Sequence, residues 1–195
     1  IGSELCKQII SLKPKKLILL DNSEENLYYL NSELSEKYNN FLPLLGDACN
    51  FELLKKIFNE NLVDIVFHAA AYKHVPLVET NPIVGLKNNV VASYSLCKAC
   101  IDSSVKKAIL VSSDKAVRPT NLMGVSKRIS ELIFQSYASN NNYKSINSYI
   151  GEKVFTMVRF GNVLGSSGSV IPLFKKQINN GGPVTITHPN IERYF

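Results

Sequence analysis

Ser113-Asp114-Lys115 sets a hydroxyl, a carboxylate and an amine side by side, directly after the apolar run Ala108-Ile109-Leu110-Val111. Ionisable groups at the end of a buried strand are expensive to hold there without a use. An acid and a base at one point are suited to moving protons on a bound substrate. Asp114 or Lys115 alone reads as an exposed loop charge, and it is the combination that points to an active site. Met123-Gly124-Val125-Ser126-Lys127 follows and brings a second lysine to the opening of a helix.

Three other places carry groups suited to a phosphate-bearing ligand. His68-Ala69-Ala70-Ala71-Tyr72-Lys73-His74 follows another apolar run. Small residues such as Ala69, Ala70 and Ala71 at a strand end let a flat ligand approach the backbone. Lys73 would then face phosphates or a sugar. His68 reads better as a buried, hydrogen-bonded imidazole than as a metal ligand. The stretch 159–172 holds three glycines and three serines after the last apolar run, and so many backbone N–H groups suit a diphosphate. Within it Asn162, Gly165, Ser166, Gly168, Ser169 and Val170 are candidate ligand contacts.

Asp21 closes a strand about 20 residues after Gly2, the spacing at which an acidic residue binds the adenosine ribose hydroxyls. Asp21 also suits ordinary turn chemistry. Ser23 either caps the next helix or touches a 2′-phosphate, and the cap is the safer reading. Asp47, in Gly46-Asp47-Ala48, either accepts from an adenine amino group or caps a helix, a role that Asn50 can also fill.

Composition bounds the rest. Hydrophobic residues make up 45% and charged residues 19%, as in an ordinary folded protein. No apolar run reaches the ~18–20 residues of a membrane span, and no signal-like segment opens the sequence. The expected setting is therefore cytoplasmic, with any membrane anchor outside this chain. The 22 basic and 16 acidic residues give +6 without an arginine-rich, aromatic-flanked stripe, so nucleic acid is not an expected partner. A modest positive field suits an anionic nucleotide. Four cysteines, two of them in the helix-like Cys97-Lys98-Ala99-Cys100, form no metal-binding pattern and no disulfide framework. No metal is expected.

The elements that position these groups alternate. Short apolar runs at 17–20, 63–68, 108–111 and 154–158 suit strands buried on both faces of a parallel sheet. Phe41–Leu45 is a shorter candidate, broken by Pro43. Between them lie helical patterns at 23–38, 50–59, 82–103 and 123–137, the last with Ile129, Leu132, Ile133 and Tyr137 on one stripe. The segment 140–151 is polar and reads as a surface insertion. Alternating strands and helices imply an α/β, doubly wound parallel sheet of Rossmann type. The first strand of such a sheet precedes a glycine-rich turn, and Gly2 reads as the last glycine of that turn. The chain is thus expected to be one NAD(P)-binding domain over 1–195, incomplete at both ends, with a substrate-binding region beginning near 163.

The strings at 68–76, 113–121 and 159–166 together resemble the extended short-chain dehydrogenase/reductases. More closely they resemble the UDP-N-acetylglucosamine 4,6-dehydratases of bacterial polysaccharide biosynthesis. The resemblance covers the whole chain except the insertion. It implies about seven parallel strands, NAD or NADP as cofactor, a UDP-sugar substrate and a homo-oligomer. It implies catalytic roles for Ser113, Asp114, Lys115, Met123 and Lys127, with Lys115 as base at C5 and Asp114 as acid at the C6 hydroxyl. Lys127 would bind the nicotinamide ribose. Cofactor contacts would be Gly2, Asp21, Ser23, Asp47, Ala48, Ala69, Ala70, Ala71, Lys73, Asn89 and Lys127. Substrate contacts would be Lys73, Asn162, Gly165, Ser166, Gly168, Ser169, Val170 and Arg193. Most of the superfamily has Tyr where this chain has Met123, so the usual phenolate base is missing. A nucleotide-sugar epimerase and a non-catalytic nucleotide-binding module are the alternative readings.

Overall fold

Each apolar run becomes a strand, and the periodic stretches become helices, one of them interrupted. The computed structural model describes residues 1–139, 153–166, 169–186, 188–190 and 192. The 140–151 insertion, Gly168 and Arg193 lie outside the described residues. Two units divide the chain, Ile1–Val158 and Arg159–Phe195.

The first unit runs α1 (Gly2–Ser11), β1 (Leu17–Asp21), α2 (Glu24–Ser35), β2 (Phe41–Leu45), α3 (Phe51–Glu60) and β3 (Ile65–His68). It continues α4 (Val75–Thr80), α5 (Pro82–Leu86), a π turn (Lys87–Val91), α6 (Ala92–Ile101) and β4 (Lys107–Ser113). A 3₁₀ turn (Asp114–Ala116), α7 (Leu122–Ser139) and β5 (Val154–Phe160) follow. Two parallel ladders form among the described residues, β1-β2 and β3-β4-β5. Leu17 to Asp21 lie opposite Phe41 to Leu45, and Ile65 to His68 opposite Lys107 to Leu110. Five strands are present among the described residues, against the about seven that the resemblance implies.

Pro43 does not interrupt β2, where it sits opposite Leu19. β2 is an edge strand, and an edge tolerates a residue with no N–H to give. The expectation of strands buried on both faces fails at β3, whose Ile65 and Phe67 are 48% and 43% exposed. β3 is likewise the edge of its ladder.

Helix starts follow side-chain capping. Ser23 accepts from the Asn26 amide at 3.3 Å, and Asn50 from the Leu53 amide at 3.0 Å. Asn50 is therefore the cap of α3, while Asp47 accepts from the Cys49 amide at 2.8 Å. The long helix expected over 82–103 is instead broken by the π turn at Lys87–Val91. Such widened turns free backbone carbonyls for side-chain partners. Here the Asn89 carbonyl accepts from Ser93 Oγ at 2.8 Å and from Ser130 Oγ at 2.9 Å.

The larger core lies between α3, α6, α7 and the β3-β4-β5 ladder, around Leu54, Cys97, Cys100, Val105, Leu110 and Phe134. Burying a side chain the size of Phe134 stabilises by about 2–3 kcal/mol. Cys97 and Cys100 are part of this core, and burial pushes both thiols up. Ile10, Leu19 and Leu34 form a second cluster under β1-β2. Of the apolar stripe expected from 129, 132, 133 and 137, Ile133 and Tyr137 pack against the core, but the fully buried face of α7 is a different one. It carries Ser126, Lys127, Ser130 and Glu131 beside Met123 and Phe134, whereas Leu132 is exposed. Polar groups can take a core face when each finds a partner.

In the second unit α8 (Val170–Asn179) follows the loop after β5. Gly165 adopts φ +68°, a left-handed conformation that glycine takes at little cost. Gln177 exchanges hydrogen bonds with the Thr185 amide and hydroxyl, both at 3.2 Å, which fastens the following segment to α8. No described helix is long and apolar enough to cross a membrane.

Candidate active site

Two clusters form at the carboxyl ends of the strands of the first unit, where doubly wound sheets bind ligands. The first is a cavity of about 270 Å³. Asp21 and Ser23 come to it from the end of β1, Gly46, Asp47 and Ala48 from the end of β2, and Ala69 to Tyr72 from the end of β3. Asn88 and Ala92 close it from the π turn and α6. Seven of the candidate cofactor contacts thus share one space: Asp21, Ser23, Asp47, Ala48, Ala69, Ala70 and Ala71. The Asp21 carboxylate is exposed and accepts from the Ser23 amide at 2.8 Å. A carboxylate offers about four acceptor positions, so Asp21 keeps capacity for a ligand hydroxyl. Lys73 lies in the exposed loop after Tyr72. Gly2 opens α1 with open space around its Cα.

Asn89 does not line the cavity. It is 1% exposed, and its side chain accepts from the Tyr72 amide at 2.7 Å and donates to the Tyr72 carbonyl at 3.0 Å and Ser126 Oγ at 2.8 Å. Its place in the structure is to hold the loop after β3 against α7.

The second cluster gathers the acid–base candidates. β4 ends in Ser113, and the chain turns at once through the 3₁₀ turn holding Asp114 and Lys115. Lys115 Nζ pairs with Asp114 Oδ1 at 3.0 Å, and Ser113 Oγ donates to the same oxygen at 2.9 Å. Partial burial pushes the Asp114 carboxyl up, but hydrogen bonds from Lys115 and Ser113 and the lysine charge outweigh it and hold the group below its ordinary range. The turn lies directly on the first turn of α7. A Cβ at Gly124 would collide with the Lys115 carbonyl, so only glycine permits this approach. Arg118, in the connection to α7, takes φ +46°, a left-handed strain of roughly 1–2 kcal/mol for a non-glycine residue.

Met123 and Lys127 face inward one turn apart, 4% and 9% exposed. Lys127 Nζ donates to the Val111 carbonyl at 2.8 Å. Burial lowers its amine to about 8, with the Glu131 charge opposing. Behind them His68 Nε2 lies 3.1 Å from Ser93 Oγ. Burial, and then the nearby Lys127 charge, drive His68 down to about 3, so it is a neutral core imidazole as expected. Among the described residues no group of three or more His, Cys, Asp or Glu is placed to hold a metal.

The loop after β5 belongs to the second unit. Asn162 and Ser166 are half-buried, Gly165 is exposed, and Ser169 precedes Val170, the first residue of α8. Ser169 Oγ is buried and has no hydrogen-bond partner among the described residues. Sequence reasoning missed Asn22, Asn26, Asn88 and the Tyr72 contribution to the cavity, along with the buried Ser112 and Glu131. The available signal was spacing: Glu131 stands four residues after Lys127, on the same helix face.

A parallel α/β scaffold with a cavity across the carboxyl ends of its strands, and an Asp-Lys pair beside a buried lysine, defines a Rossmann-like protein of the extended short-chain dehydrogenase/reductase class. Within that class the chain belongs to the polysaccharide biosynthesis protein family, whose profile matches residues 1–195. It is 45% identical over 198 residues to the capsular polysaccharide biosynthesis protein CapD of Staphylococcus aureus, covering 100% of this chain and 32% of CapD. It is 37% identical over 186 residues to an inverting UDP-N-acetylglucosamine 4,6-dehydratase of Campylobacter jejuni, covering 94% of this chain and 52% of that enzyme. The X-ray structure of Pen from Bacillus thuringiensis superposes with a TM-score of 0.88 at 34% identity, over 99% of this chain and 60% of Pen. The chain thus spans about a third to a half of the curated relatives it matches.

Proposed function

We propose that the protein containing this chain is a nucleotide-sugar 4,6-dehydratase, converting UDP-N-acetylglucosamine to a UDP-4-keto-6-deoxy sugar for glycan biosynthesis with NAD or NADP. The observation that carries this reading is the Lys115 Nζ–Asp114 Oδ1 pair at 3.0 Å, seated on the helix that bears Lys127. Loss of water across C5 and C6 needs a base at C5 and an acid at the C6 hydroxyl, whereas inversion at C4 needs only a group that takes and returns the C4 hydroxyl proton. The names of the Campylobacter and Staphylococcus relatives support the same substrate class and pathway.

The cavity fits one end of the cofactor. At about 270 Å³ it is slightly under the roughly 300–1,000 Å³ of pockets that enclose a whole drug-sized ligand. Asp21 would accept from the adenosine ribose hydroxyls, Asp47 from the adenine amino group, and Ala69 to Ala71 would let the ligand lie against the backbone. Bound NAD(P) supplies hydride acceptance from C4 and hydride return to C6.

The chain's own residues move the protons. With C4 oxidised, the C5 proton is acidified and passes to Lys115. The C5–C6 double bond forms as the C6 hydroxyl leaves with a proton from Asp114, as water. C5 regains a proton as C6 gains the hydride, so the net change is the loss of one water. The ion pair of the free site is the reverse of this assignment, because Lys115 holds the proton that Asp114 must give. One transfer along the 3.0 Å hydrogen bond reverses it, an uphill step for a carboxyl that Lys115 and Ser113 hold below its ordinary range. A bound sugar would favour that transfer by excluding water, which costs a separated charge pair more than a neutral one. Lys127 would bind the nicotinamide ribose and, by its charge, ease loss of the C4 hydroxyl proton to water, which restores the proton that the Lys115–Asp114 pair gives up to the leaving hydroxyl.

The test is product mass from UDP-N-acetylglucosamine with the complete protein. A product lighter by one water is expected. A product of unchanged mass means an epimerase, and no turnover with bound nucleotide means a binding module.

A further inference from the structure

Glu131 is the one fully buried carboxylate among the described residues, at 0% exposure, and no step above uses it. Oε1 accepts from Ser112 Oγ at 2.7 Å, and Oε2 accepts from Arg128 Nη1 at 2.9 Å. Ser112 is itself 2% exposed and lies between Val111, whose carbonyl accepts from Lys127 Nζ, and Ser113, which begins the acid–base turn. Two adjacent residues at the end of β4 are therefore fastened to two residues one turn apart on α7. A buried carboxylate without such partners would cost several kcal/mol. The pattern is a clamp between the strand that delivers Asp114-Lys115 and the helix that delivers Met123 and Lys127.

We infer that Glu131 is a positioning residue: through Ser112 it sets where the end of β4 meets α7, and through its charge it keeps the Lys127 ammonium in the site. The inference rests on the proposed dehydratase reading only for its rate measurements. The charged and titratable groups that act on Lys127 are Glu131 on its own helix and His68 on β3; Arg128 adjoins it in sequence and pairs with Glu131, and the 3₁₀ turn of Asp114 and Lys115 packs on the first turn of the same helix. His68 is neutral across the working range. Glu131 is the anion on Lys127's own helix face, and it opposes the loss of the lysine proton.

Two substitutions in the complete protein separate the two parts of the clamp. Glu131→Gln keeps an oxygen that can accept from Ser112 but removes the charge. Ser112→Ala removes the hydroxyl and keeps the charge. The first readout needs no substrate: the pH dependence of Lys127 acetylation by trace acetic anhydride, followed by peptide mass spectrometry. In Glu131→Gln the Lys127 titration is expected to move to lower pH by about one unit. In Ser112→Ala it is expected to stay in place. The second readout is the pH profile of kcat. An alkaline limb set by Lys127 is expected to fall by the same amount in Glu131→Gln. Ser112→Ala is expected to lose about tenfold in kcat at every pH, since misplacement by an ångström can cost up to ~10²-fold. An unmoved Lys127 titration in a folded Glu131→Gln protein overturns the electrostatic part, and full kcat in Ser112→Ala overturns the clamp. A protein with no dehydratase activity but a shifted Lys127 titration sinks the proposed reaction and leaves the role of Glu131 standing. If Glu131→Gln does not fold, Arg128→Met takes its place. Loss of this cation must leave the Lys127 titration in place or raise it, and a fall overturns the inference.

Discussion

Asn89 and Ser126 stand 37 residues apart in sequence, and the Asn89 side-chain amide donates to the Ser126 hydroxyl at 2.8 Å. Ser126 Oγ in turn donates to the Met123 carbonyl at 2.6 Å. One chain of hydrogen bonds therefore runs from the Tyr72 backbone, at the cavity, to Met123, in the acid–base cluster. The two clusters at the strand ends are thus joined by buried polar groups as well as by the apolar core beneath them.

Lys115→Ala in the complete protein should abolish product while leaving bound cofactor in place. A general base contributes about 10²–10⁴-fold. The measurement is exchange of the C5 proton in deuterated water. Exchange at the parent rate would remove Lys115 from the base role.

Met123→Tyr should slow the reaction rather than restore a phenolate. Met123 is 4% exposed, and a stiffer, bulkier ring forced into a packed site costs about 1–3 kcal/mol. Single-turnover reduction of the nicotinamide, followed by absorbance, is expected to fall. A clear rise would mean that the surroundings still suit a tyrosine.

Asp21 predicts the cofactor. A carboxylate at the end of β1 suits ribose hydroxyls and repels a 2′-phosphate, so NAD should bind more tightly than NADP. Asp21→Ser should narrow that preference by weakening NAD and admitting NADP. Titration of both dinucleotides against the parent and variant proteins checks it, and an unchanged ratio would place the adenosine elsewhere.

His68 makes stability depend on pH. Its folded value, about 3, lies below the unfolded value of 6.5, so the unfolded chain binds the extra proton first. The stabilisation is complete above pH 6.5 and drains away as pH falls toward 3. Urea midpoints at pH 7.5 and 5 should therefore differ less for His68→Asn than for the parent, although the variant is less stable at pH 7.5. Equal pH slopes would show that His68 is not held neutral.

The sequence carried the alternation of strands and helices because the apolar runs are short and bounded, and it carried the Ser113-Asp114-Lys115 turn because three reactive residues adjoin. Ser23 was legible as a cap from residue type alone, and Asn50 as one of two candidates beside Asp47. The π turn was not, since Lys87 to Val91 keeps an ordinary helical composition. The buried face of α7 was also hidden. Hydropathy reads Ile129 and Leu132 as inward, whereas Ser126, Lys127, Ser130 and Glu131 take that face because Asn89, Val111 and Ser112 supply their partners. Those partners come from other elements, and no local pattern announces them.

The widened turn at Lys87–Val91 works as a phase shift. Regular α-helix advances about 100° per residue, and a π turn holds roughly one residue more than its α counterpart. Asn88 and Ala92 look into the cavity while Asn89 and Ser93 look toward α7 and His68. Deleting one residue from this turn would restore an unbroken helix, and the upstream and downstream faces would fall out of step. Either the cavity wall or the Asn89 contacts to Tyr72 and Ser126 would be kept, but not both. The chain's length between Pro82 and Ile101 is thus fixed to the single residue, in a stretch that reads from composition alone as freely adjustable helix.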